Sequence, residues 1–528
     1  MKVINYSKKD DEIRLIKYRK KGLLRLVFSR LFVVISLLLL QLFIFVFAFS
    51  WLKEVFRYYE VFMTVFTVIM VFYLFNNEMD SSAKLTWLIL IALWPIPGAL
   101  LLLFYQVDPA HVAIKRRMAD IIEDTKNVQP LDVDLFKELS DKNSGVTDIC
   151  RYLNRTGNFP VYKNSEVTYI PSGEKKYEML IPELMKAEKF IFLEYFIIDE
   201  GYMWGHILKI LADKAAKGVE VRLLYDGMCE MKQLPLDYEK RLAHYGIQAR
   251  PFSPIKPFIS TYYNYRDHRK ILVVDGKVAF NGGINLADEY MNRIERFGHW
   301  KDSAVMVRGD AVKSYTLMFL QMWHADSGKV ELGDYMKNHR IDDLKPSGYV
   351  LPYGDIPLDD EKVGECVYID VLNRAESYVH IMTPYLILDG EMENAITFAA
   401  ERGIDVSIIL PGIPDKFVAY SLAKSHYYKL LKSGVNIYEY EPGFVHAKSF
   451  VSDDKRAIVG TINLDYRSLY HHFECATYMY EVDAIKDIEG DFQETLTKCR
   501  KVTYESIKRE KWYYKLVGGI VKLIAPLM

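Results

Sequence analysis

The sequence contains one five-residue pattern twice, at the same internal spacing. The pattern is a histidine, a lysine two residues later, an aspartate five residues after the lysine, and then a glycine and an asparagine separated by two residues. The copies are His268, Lys270, Asp275, Gly282 and Asn285, and His446, Lys448, Asp453, Gly460 and Asn463. Only 12 of the 528 residues are histidine, so chance is a poor explanation. The repeat indicates a catalytic half-site that is present in duplicate.

Each copy of the pattern is expected to lie on a β hairpin. Side chains two residues apart on a strand point to the same face, so His268 and Lys270 project together. The apolar residues that follow end at Asp275 and Gly276, a dipeptide typical of tight hairpin turns. The returning strand brings Asn285 back beside the histidine, and the glycines before it let a ligand approach the backbone. An imidazole, an ammonium and an amide on one rim suit a phosphoryl group.

Phosphoryl transfer without a nucleotide or a metal needs a nucleophile, a general acid and fixed positive charge. Two histidines can divide the first two tasks, because an imidazole pKa of about 6.5 makes both protonation states accessible near neutral pH. The candidate catalytic residues are therefore His268, Lys270, Asp275, His446, Lys448 and Asp453. Within this set, the two aspartates are expected to support the geometry of the turn and the strand.

Two further pairs of residues complete the candidate site. Asn285 and Asn463 are expected to bind the substrate phosphate, and capping of a turn is the alternative for them. Asp302 and Glu474 lie 34 and 28 residues after the histidine of their respective motifs. A carboxylate on the far ring nitrogen fixes the tautomer of a histidine and stabilises its charge. Asp302 and Glu474 are therefore the candidate orienting carboxylates.

The two motif regions resemble those of a known family. Residues 264–290 and 443–474 closely resemble the two HKD motifs of the phospholipase D superfamily, and more narrowly those of its bacterial cardiolipin synthases. The matching residues include Gly282 and Gly283 in the first motif, and Asn463, Leu464, Asp465, Arg467 and Ser468 in the second. Thr461 stands where the family more often has Gly-Ser, which keeps a hydroxyl. Shorter matches extend the resemblance over residues 60–528.

The resemblance implies a ping-pong transfer between two molecules of phosphatidylglycerol. One histidine attacks the phosphodiester and glycerol leaves. A hydroxyl of the second phosphatidylglycerol then attacks the phosphatidyl-histidine, and the product is cardiolipin. The resemblance assigns His268 as the nucleophile and His446 as the acid and then the base, and the near-symmetry of the motifs leaves the reverse order open. Since the covalent intermediate retains much of the free energy of the reaction, no ATP and no other cofactor is expected.

Three alternatives remain open from the sequence. A phospholipase D would use water as its second substrate, and a phosphatidylserine synthase would use serine with a nucleotide-linked lipid. A protein of another class, a non-catalytic membrane scaffold that binds lipid, would not need two complete motifs.

Composition and spacing disfavour two other kinds of partner. With 68 basic and 69 acidic residues, the net charge is −1, which gives no reason to expect nucleic-acid binding. The histidines outside the motifs, including His299, His471 and His472, lack ligand-like spacing with cysteine or carboxylate partners. No metal site is therefore predicted.

Apolar stretches near the N-terminus predict attachment to the cell membrane by several passes. Residues 31–52 and 85–105 are uncharged and long enough to cross a bilayer core of about 30 Å as helices. Residues 61–75 are apolar but shorter, and they either span the bilayer or lie in its interface. A cleaved signal peptide is a poor explanation of the first stretch. Basic residues before residue 31 and after residue 105 both favour the cytoplasm, which leaves the side of the active site open.

The soluble part is expected to be α/β, with parallel strands at the core of each half. Strand, helix and strand are predicted over 190–198, 204–217 and 219–225, and the order repeats over 378–383, 391–402 and 406–410. The resemblance implies two pseudo-symmetric phospholipase D-like lobes with central mixed sheets flanked by helices, after an N-terminal transmembrane helical segment. The expected domains are residues 1–107 for that segment, with two or three transmembrane helices, 108–340 for the first lobe and 341–528 for the second. An amphipathic C-terminal helix is expected either at the level of the lipid headgroups or packed on the second lobe.

Overall fold

The computed structural model of this 528-residue chain describes residues 12–15, 43, 47, 58–107, 109–142, 145–254, 261–337, 341, 343–359 and 361–527. Of the predicted membrane segments, residues 31–52 lie outside the described residues, apart from Phe43 and Phe47. Residues 61–75 and 85–105 lie within them.

Strands and helices alternate along both halves of the chain. The strands are β1 (Ser165–Ile170), β2 (Phe190–Tyr195), β3 (Glu220–Asp226), β4 (Ile247–Phe252), β5 (Arg266–Asp267), β6 (Lys270–Val274), β7 (Val278–Gly282), β8 (His299–Lys301), β9 (Ala304–Gly309), β10 (Tyr349–Asp355), β11 (Tyr378–Met382), β12 (Asp405–Pro411), β13 (Asn436–Tyr440), β14 (Gly443–Val445), β15 (Ser449–Ser452), β16 (Arg456–Gly460), β17 (His472–Tyr480) and β18 (Cys499–Lys501). The helices are α1 (Tyr59–Phe75), α2 (Ser81–Leu93), α3 (Pro95–Val107), α4 (Pro109–Thr125), α5 (Val133–Asp141), α6 (Val146–Gly157), α7 (Gly173–Lys186), α8 (Tyr202–Ala215), α9 (Cys229–Lys232), α10 (Tyr238–Ala243), α11 (Val312–Trp323), α12 (Val363–Arg374), α13 (Gly390–Glu401), α14 (Phe417–Lys432), α15 (Tyr466–Tyr470), α16 (Ala484–Leu496), α17 (Tyr504–Arg509) and α18 (Trp512–Lys522).

The strands form two large mixed sheets of the same design. The first sheet has the order β1-β9-β7-β6-β2-β3-β4, and the second has the order β10-β17-β16-β15-β11-β12-β13-β18. In the first sheet β2, β3 and β4 are parallel, and in the second β11, β12 and β13 are parallel. The hairpin that carries the motif joins each parallel group in antiparallel fashion. The predicted α/β fold with mixed sheets flanked by helices is confirmed, while the division of the chain at residues 340 and 341 stays a prediction.

The predicted strand-helix-strand units lie close to the observed ones. The strand predicted over 190–198 is β2, and all six of its residues are buried. A strand in the parallel part of a sheet that is covered on both faces is a continuous apolar run. The helix predicted over 204–217 is α8, and Gly218 follows it with a left-handed φ of +89°, as is usual for a glycine that ends a helix.

The two sheets share one hydrophobic core. α11 lies between them and contacts β2 and β6 of the first sheet and β10 of the second. Every residue of α11 except Lys313 is buried, and a helix without a polar face fits such an enclosed position. Ile271 and Val307 of the first sheet belong to the same apolar cluster as Ile458 and Val459 of the second. Apolar packing therefore holds the two halves of the chain against each other.

The described N-terminal helices differ from the predicted membrane segments. α1 covers residues 61–75, but residues 85–105 form two helices, α2 and α3, instead of one. The chain bends at Trp94, because Pro95 disfavours a helical conformation in the residue before it and suits the first turn of the next helix. Among the helices of the described residues, none combines the length and the apolar character that a membrane crossing requires.

The C-terminal helix α18 packs on α14 of the second half. At Gly518 the two helices are so close that a Cβ atom would lie 2.4 Å from the carbonyl oxygen of Ser421. The hydroxyl of Thr86 on α2 donates a hydrogen bond of 2.8 Å to the carbonyl of Leu523, just beyond α18. The opposite side of α18 is exposed at Trp512, Leu516 and Ile520. The expected packing on the second half is observed and places α18 beside the N-terminal helices, while a position at the level of the lipid headgroups stays a prediction.

Candidate active site

Each motif lies on a hairpin whose turn is tied to the sheet by the motif aspartate. β6 and β7 are joined at Asp275 and Gly276, which have φ values of +53° and +66°, as a tight turn between twisted strands requires. The Asp275 carboxylate accepts hydrogen bonds of 2.8, 2.7 and 2.9 Å from the backbone amides of residues 188–190. Asp453 accepts bonds of 3.0, 2.8 and 3.0 Å from those of residues 376–378. Both aspartates lie at the strand end opposite the histidine, where they support the turn.

Two short parallel strand pairs bring the halves of the site together. β5 of the first half pairs with β17 of the second, and β14 of the second half pairs with β8 of the first. His268 directly follows β5, and Glu474 lies near the start of β17. Asp302 directly follows β8, and His446 directly follows β14. Each histidine is therefore placed beside a carboxylate from the other half of the chain.

The carboxylates bind the Nδ1 atoms of the two imidazoles. Nδ1 of His268 lies 2.8 and 3.0 Å from the two carboxylate oxygens of Glu474, and Nδ1 of His446 lies 2.7 Å from Oδ2 of Asp302. Because a carboxylate accepts the hydrogen on Nδ1, Nε2 is left with the lone pair in the neutral ring. The pairing is crossed, so the order along the chain does not give the partner of each histidine. The catalytic roles of these four residues stay predictions.

Buried lysines accompany both histidines. Lys270 donates a hydrogen bond to the backbone carbonyl of His268, and Lys448 donates one to that of His446. Burial lowers the pKa of Lys270 to about 8 and the pKa of Lys448 to about 7. Two ammonium groups in an enclosed site favour the binding of an anion such as a phosphodiester.

Both imidazoles are held neutral in the free site. Burial lowers the pKa of His268 well below its ordinary value, and the nearby charges of Lys270 and Lys448 act in the same direction. Burial likewise lowers the pKa of His446 to about 4, with a further contribution from Lys448. A neutral imidazole can attack phosphorus, and an anionic ligand would raise the pKa of the other ring so that it can carry a proton.

The paired glycines of the first motif are explained by close contacts. A Cβ atom on Gly283 would lie 2.1 Å from Oδ1 of Asp302, so a larger residue would displace that carboxylate. Gly282 has a φ of +151°, which other residues rarely adopt. The two glycines therefore keep Asp302 in place beside His446.

The two motif asparagines differ in their contacts. The side chain of Asn285 accepts a hydrogen bond of 3.0 Å from the amide of Ile197 and donates one of 2.8 Å to the hydroxyl of Tyr290. Oδ1 of Asn463 is buried and has no hydrogen-bond partner among the described residues. Asn285 thus has structural contacts on both sides of its amide, whereas Asn463 has an open acceptor. Phosphate binding by either residue stays a prediction.

A third imidazole, which is not among the residues predicted for the site, lies beside His268. The ring of His472 lies 5.3 Å from that of His268, centroid to centroid, and its Nδ1 lies 3.7 Å from Oε1 of Glu474. His472, for which the sequence predicts no ligand-like spacing, therefore has a carboxylate neighbour in the fold. A signal was available, because residues two apart on a strand share a face, which puts His472 next to Glu474 on β17.

A comparison with protein-family profiles relates this chain to known proteins. A family profile described as "Cardiolipin synthase, PLD-like domain" matches residues 180–323 and 368–496. The chain belongs to the phospholipase D superfamily. The resemblance found in the motifs is confirmed, and within the superfamily the match is to its cardiolipin synthase-like members. The chain is accordingly a phosphatidyltransferase enzyme.

Relatives of this superfamily member cover most of its length. An uncharacterized protein of Streptococcus mutans is 56% identical over 458 residues, which are 87% of this chain and 99% of the relative. A cardiolipin synthase of Alkalihalophilus pseudofirmus is 32% identical over 471 residues, 88% of this chain and 93% of the relative. Among solved structures, a phosphatidylserine synthase of Haemophilus influenzae aligns with a TM-score of 0.55 at 14% identity, over 72% of this chain and 97% of that one. At that identity the likeness concerns the fold alone.

Proposed function

We propose that this phospholipase D superfamily member is a cardiolipin synthase that joins two molecules of phosphatidylglycerol. The observation that carries the proposal is the pair of crossed contacts, His268 with Glu474 and His446 with Asp302. Together with two buried lysines, these contacts supply a nucleophile, an acid and base, and positive charge at one site. Relatives described as cardiolipin synthases support the choice of lipid.

In the first step, Nε2 of His268 attacks the phosphorus of phosphatidylglycerol. A bond forms between nitrogen and phosphorus, and the bond from phosphorus to the glycerol oxygen breaks. His446, protonated under the influence of the anionic substrate, gives its proton to that oxygen, so glycerol leaves neutral. Asp302 stabilises the imidazolium before the transfer. The assignment of His268 as the nucleophile rests on the resemblance to the superfamily.

In the second step, the roles at His446 reverse. Neutral His446 takes the proton from a hydroxyl of the second phosphatidylglycerol, whose oxygen attacks phosphorus while the bond to His268 breaks. Cardiolipin is released and the free site is restored. The ammonium groups of Lys270 and Lys448 stabilise the equatorial oxygens of phosphorus in both steps. The scheme requires no ATP and no cofactor.

The decisive experiment is a product analysis. Purified full-length protein in mixed micelles receives phosphatidylglycerol labelled in the glycerol headgroup and in an acyl chain. We expect cardiolipin and free glycerol in equal amounts, no loss of activity with a chelator, and no product from His268→Asn or His446→Asn. His244→Asn, at an exposed position, is the matched control.

Other products would select another member of the superfamily. Phosphatidic acid as the main product would make the enzyme a phospholipase D, because water would then be the acceptor. Phosphatidylserine formed from serine and a nucleotide-linked lipid would make it a phosphatidylserine synthase. Lipid binding without turnover, unaffected by the two histidine substitutions, would make it a scaffold.

We further propose that the enzyme reaches its lipid substrates at the bilayer through its N-terminal helices and α18. Support comes from exposed apolar side chains on α1 and α2, including Val61, Phe62, Val65, Ile69, Phe72, Phe75 and Leu85. The outer side of α18 is also exposed and apolar, and the Thr86 to Leu523 contact places the two regions next to each other.

Membrane attachment is tested by sedimentation with phosphatidylglycerol vesicles. A double substitution, Phe72→Glu with Leu516→Glu, is expected to lower the bound fraction several-fold, since a charge at the interface opposes burial of the apolar surface. Leu236→Glu, an exposed apolar position on another part of the molecule, is the control. Equal binding of all three proteins would contradict the proposal.

A further inference from the structure

The third imidazole turns the first half-site into a cluster of metal-ligating groups. One ligand atom from each of His268, His472 and Glu474 can be chosen so that all three lie within 4.8 Å of one another. All three residues are buried, at 6%, 8% and 0% exposure. His472 is thus as open to solvent as the two motif histidines, of which His446 is 8% exposed. His472 and Glu474 therefore both lie beside the candidate nucleophile His268.

His472 lacks the partners that a buried imidazole normally has. Neither of its ring nitrogens has a hydrogen-bond partner among the described residues, and the 3.7 Å separation from Glu474 is too long for a hydrogen bond. Burial of a donor and an acceptor without partners is unfavourable. A ligand that accepts the lone pair of one nitrogen would satisfy it, and a metal ion is such a ligand.

The ligand types select the class of metal. Two imidazole nitrogens and one carboxylate oxygen form the ligand set of zinc sites that keep a fourth position open. Mg²⁺ and Ca²⁺ prefer oxygen ligands throughout, whereas imidazole suits Zn²⁺ and similar first-row ions. Nearby ammonium groups at Lys270 and Lys448 disfavour a dication, so binding weaker than that of a structural zinc site is expected.

We propose that His268, His472 and Glu474 form a binding site for Zn²⁺, and that the bound ion inhibits the enzyme. Coordination through Nε2 of His268 would take up the lone pair that attacks phosphorus. Coordination through Nδ1 would replace the hydrogen that Glu474 accepts, and the ring would lose the tautomer and the orientation needed for attack. The inhibitory part rests on the proposed transferase function, whereas the binding part does not. Reversible inhibition by trace metal would let zinc availability regulate the transferase.

The second half-site provides an internal contrast. The rings around His446 belong to Tyr290, Trp300 and Phe444, at centroid distances of 5.5, 5.3 and 5.9 Å. In the part of the chain that the structure describes, no third histidine, cysteine or carboxylate joins His446 and Asp302 in a ligand cluster. The metal is therefore expected at the first half-site alone.

The test is a direct titration of the purified full-length protein with Zn²⁺ against a fluorescent chelator. We expect one site per chain, and a loss of affinity of at least about tenfold in His472→Asn and in His472→Gln. His471→Asn, the neighbouring residue, and His446→Asn, in the other half-site, should bind as the unsubstituted protein does. The visible absorption of bound Co²⁺ should show nitrogen and oxygen ligation in the unsubstituted protein and change in both His472 variants.

Inhibition is measured separately, as the ratio of transferase rates with and without Zn²⁺ for each protein. We expect strong inhibition that a chelator reverses in the unsubstituted protein, and at least about tenfold more Zn²⁺ for the same inhibition in the His472 variants. Equal Zn²⁺ affinity in the unsubstituted protein and both folded His472 variants, checked by circular dichroism, would overturn the proposal. Binding of Zn²⁺ by a protein that makes no cardiolipin would instead leave the metal site standing and reject the proposed function.

Discussion

The two half-sites are built on the same frame and surrounded differently. In both, a hairpin carries the histidine and lysine, an aspartate ties the turn to three backbone amides, and a carboxylate from the other half binds Nδ1. Around His268 there are both oxygens of Glu474, a third imidazole and the ring of Phe196 at 4.9 Å. Around His446 there are one oxygen of Asp302 and three aromatic rings.

The different surroundings allow a duplicated motif to divide two tasks. The frame supplies the same chemical groups twice, whereas the surroundings decide which ring has the better-fixed orientation and which is more readily charged. A ring whose Nδ1 hydrogen is shared between both oxygens of one carboxylate is strongly oriented, as a nucleophile requires. A ring with a single short contact to a buried carboxylate is suited to carry a proton for part of the reaction. Substitutions made in pairs, one in each half-site, test this interpretation.

The largest effect is expected from the histidines themselves. His268→Asn and His446→Asn should each lower the rate of cardiolipin formation by at least about 10⁴-fold, because each removes a group that takes part in bond formation or proton transfer. The two variants should differ in whether a covalent adduct forms on the remaining histidine. Without His446 the adduct should form slowly, because the acid is missing, and should persist, because the base that activates the second substrate is missing too. Mass spectrometry after prolonged incubation with phosphatidylglycerol should therefore find the acid-labile phosphatidyl group on His268 in the His446→Asn protein, and none in the His268→Asn protein.

The opposite pattern of adducts would reverse the two roles and leave the mechanism intact. An adduct in neither variant, in samples where the unsubstituted protein gives one, would show that both rings are needed before the covalent bond can form. An adduct on a residue other than these two histidines would contradict the mechanism.

The crossed carboxylates should give the next largest effect. Glu474→Gln and Asp302→Asn should each lower kcat by about 10² to 10⁴-fold, since an amide neither fixes the tautomer nor stabilises the imidazolium. We expect the loss in Glu474→Gln to be the same across a pH series, because the carboxylate orients a neutral ring. In Asp302→Asn the pKa of His446 falls further, so the acid form becomes scarcer and the loss should grow as the pH rises. Equal pH dependence in the two variants would remove the proposed division of tasks.

Much of this fold could be predicted from short stretches of sequence. The hairpins at Asp275 and Asp453 and the unit from β2 to β3 depend on turn residues and apolar runs that are contiguous in the chain. Residues 85–105 show where such an argument fails, because apolar composition predicts one helix while Pro95 divides it. The local backbone rule was available there, and hydropathy outweighed it.

The site was predictable in its residue types but not in its pairings. The bond between His268 and Glu474 joins residues 206 positions apart, and that between His446 and Asp302 joins residues 144 apart. These contacts depend on β5 with β17 and β8 with β14, strand pairs of two and three residues. Such short strands have no periodicity of their own, since their pairing follows from the docking of the two sheets. The approach of His472 to His268 depends on the same pairing of β5 with β17, although the position of His472 beside Glu474 follows from strand periodicity alone.

Substitution of the two lysines should have a smaller effect on kcat/KM, and the effect should differ between the half-sites. A lysine with a lowered pKa carries its charge below that pKa and loses it as the pH rises, so kcat/KM should fall above the pKa of about 7 that burial gives Lys448. Lys448→Arg should move this fall toward about 8, the pKa of Lys270, because arginine stays charged. Lys270→Arg should leave the fall near pH 7. At pH 8 we expect kcat/KM to differ by about tenfold between the two variants. An identical shift, in both variants, of the pH at which kcat/KM falls would contradict this expectation.

The motif aspartates should give the smallest effect on the reaction and should affect stability alike in both halves. Asp275→Asn and Asp453→Asn should each lower the free energy of unfolding by about 1–3 kcal/mol, because an amide cannot accept three backbone hydrogen bonds. Activity of the folded protein should change by less than about threefold, since neither carboxylate contacts an imidazole. Denaturant unfolding in detergent measures the first quantity and kcat the second. The exposed neighbour Asp454→Asn is the control.

The stability of the fold is expected to depend on pH through Asp453. Although burial opposes it, the three backbone amides hold the pKa of Asp453 below its ordinary value. A carboxylate with a lowered pKa in the folded state stabilises the fold above the unfolded pKa of about 3.9, and that contribution is lost as the pH falls through the folded pKa. Asp453→Asn should therefore reduce the acid sensitivity of unfolding. Loss of activity in Asp275→Asn or Asp453→Asn with unchanged unfolding would instead give the aspartate a part in the chemistry, and the frame shared by the half-sites would be more than structural.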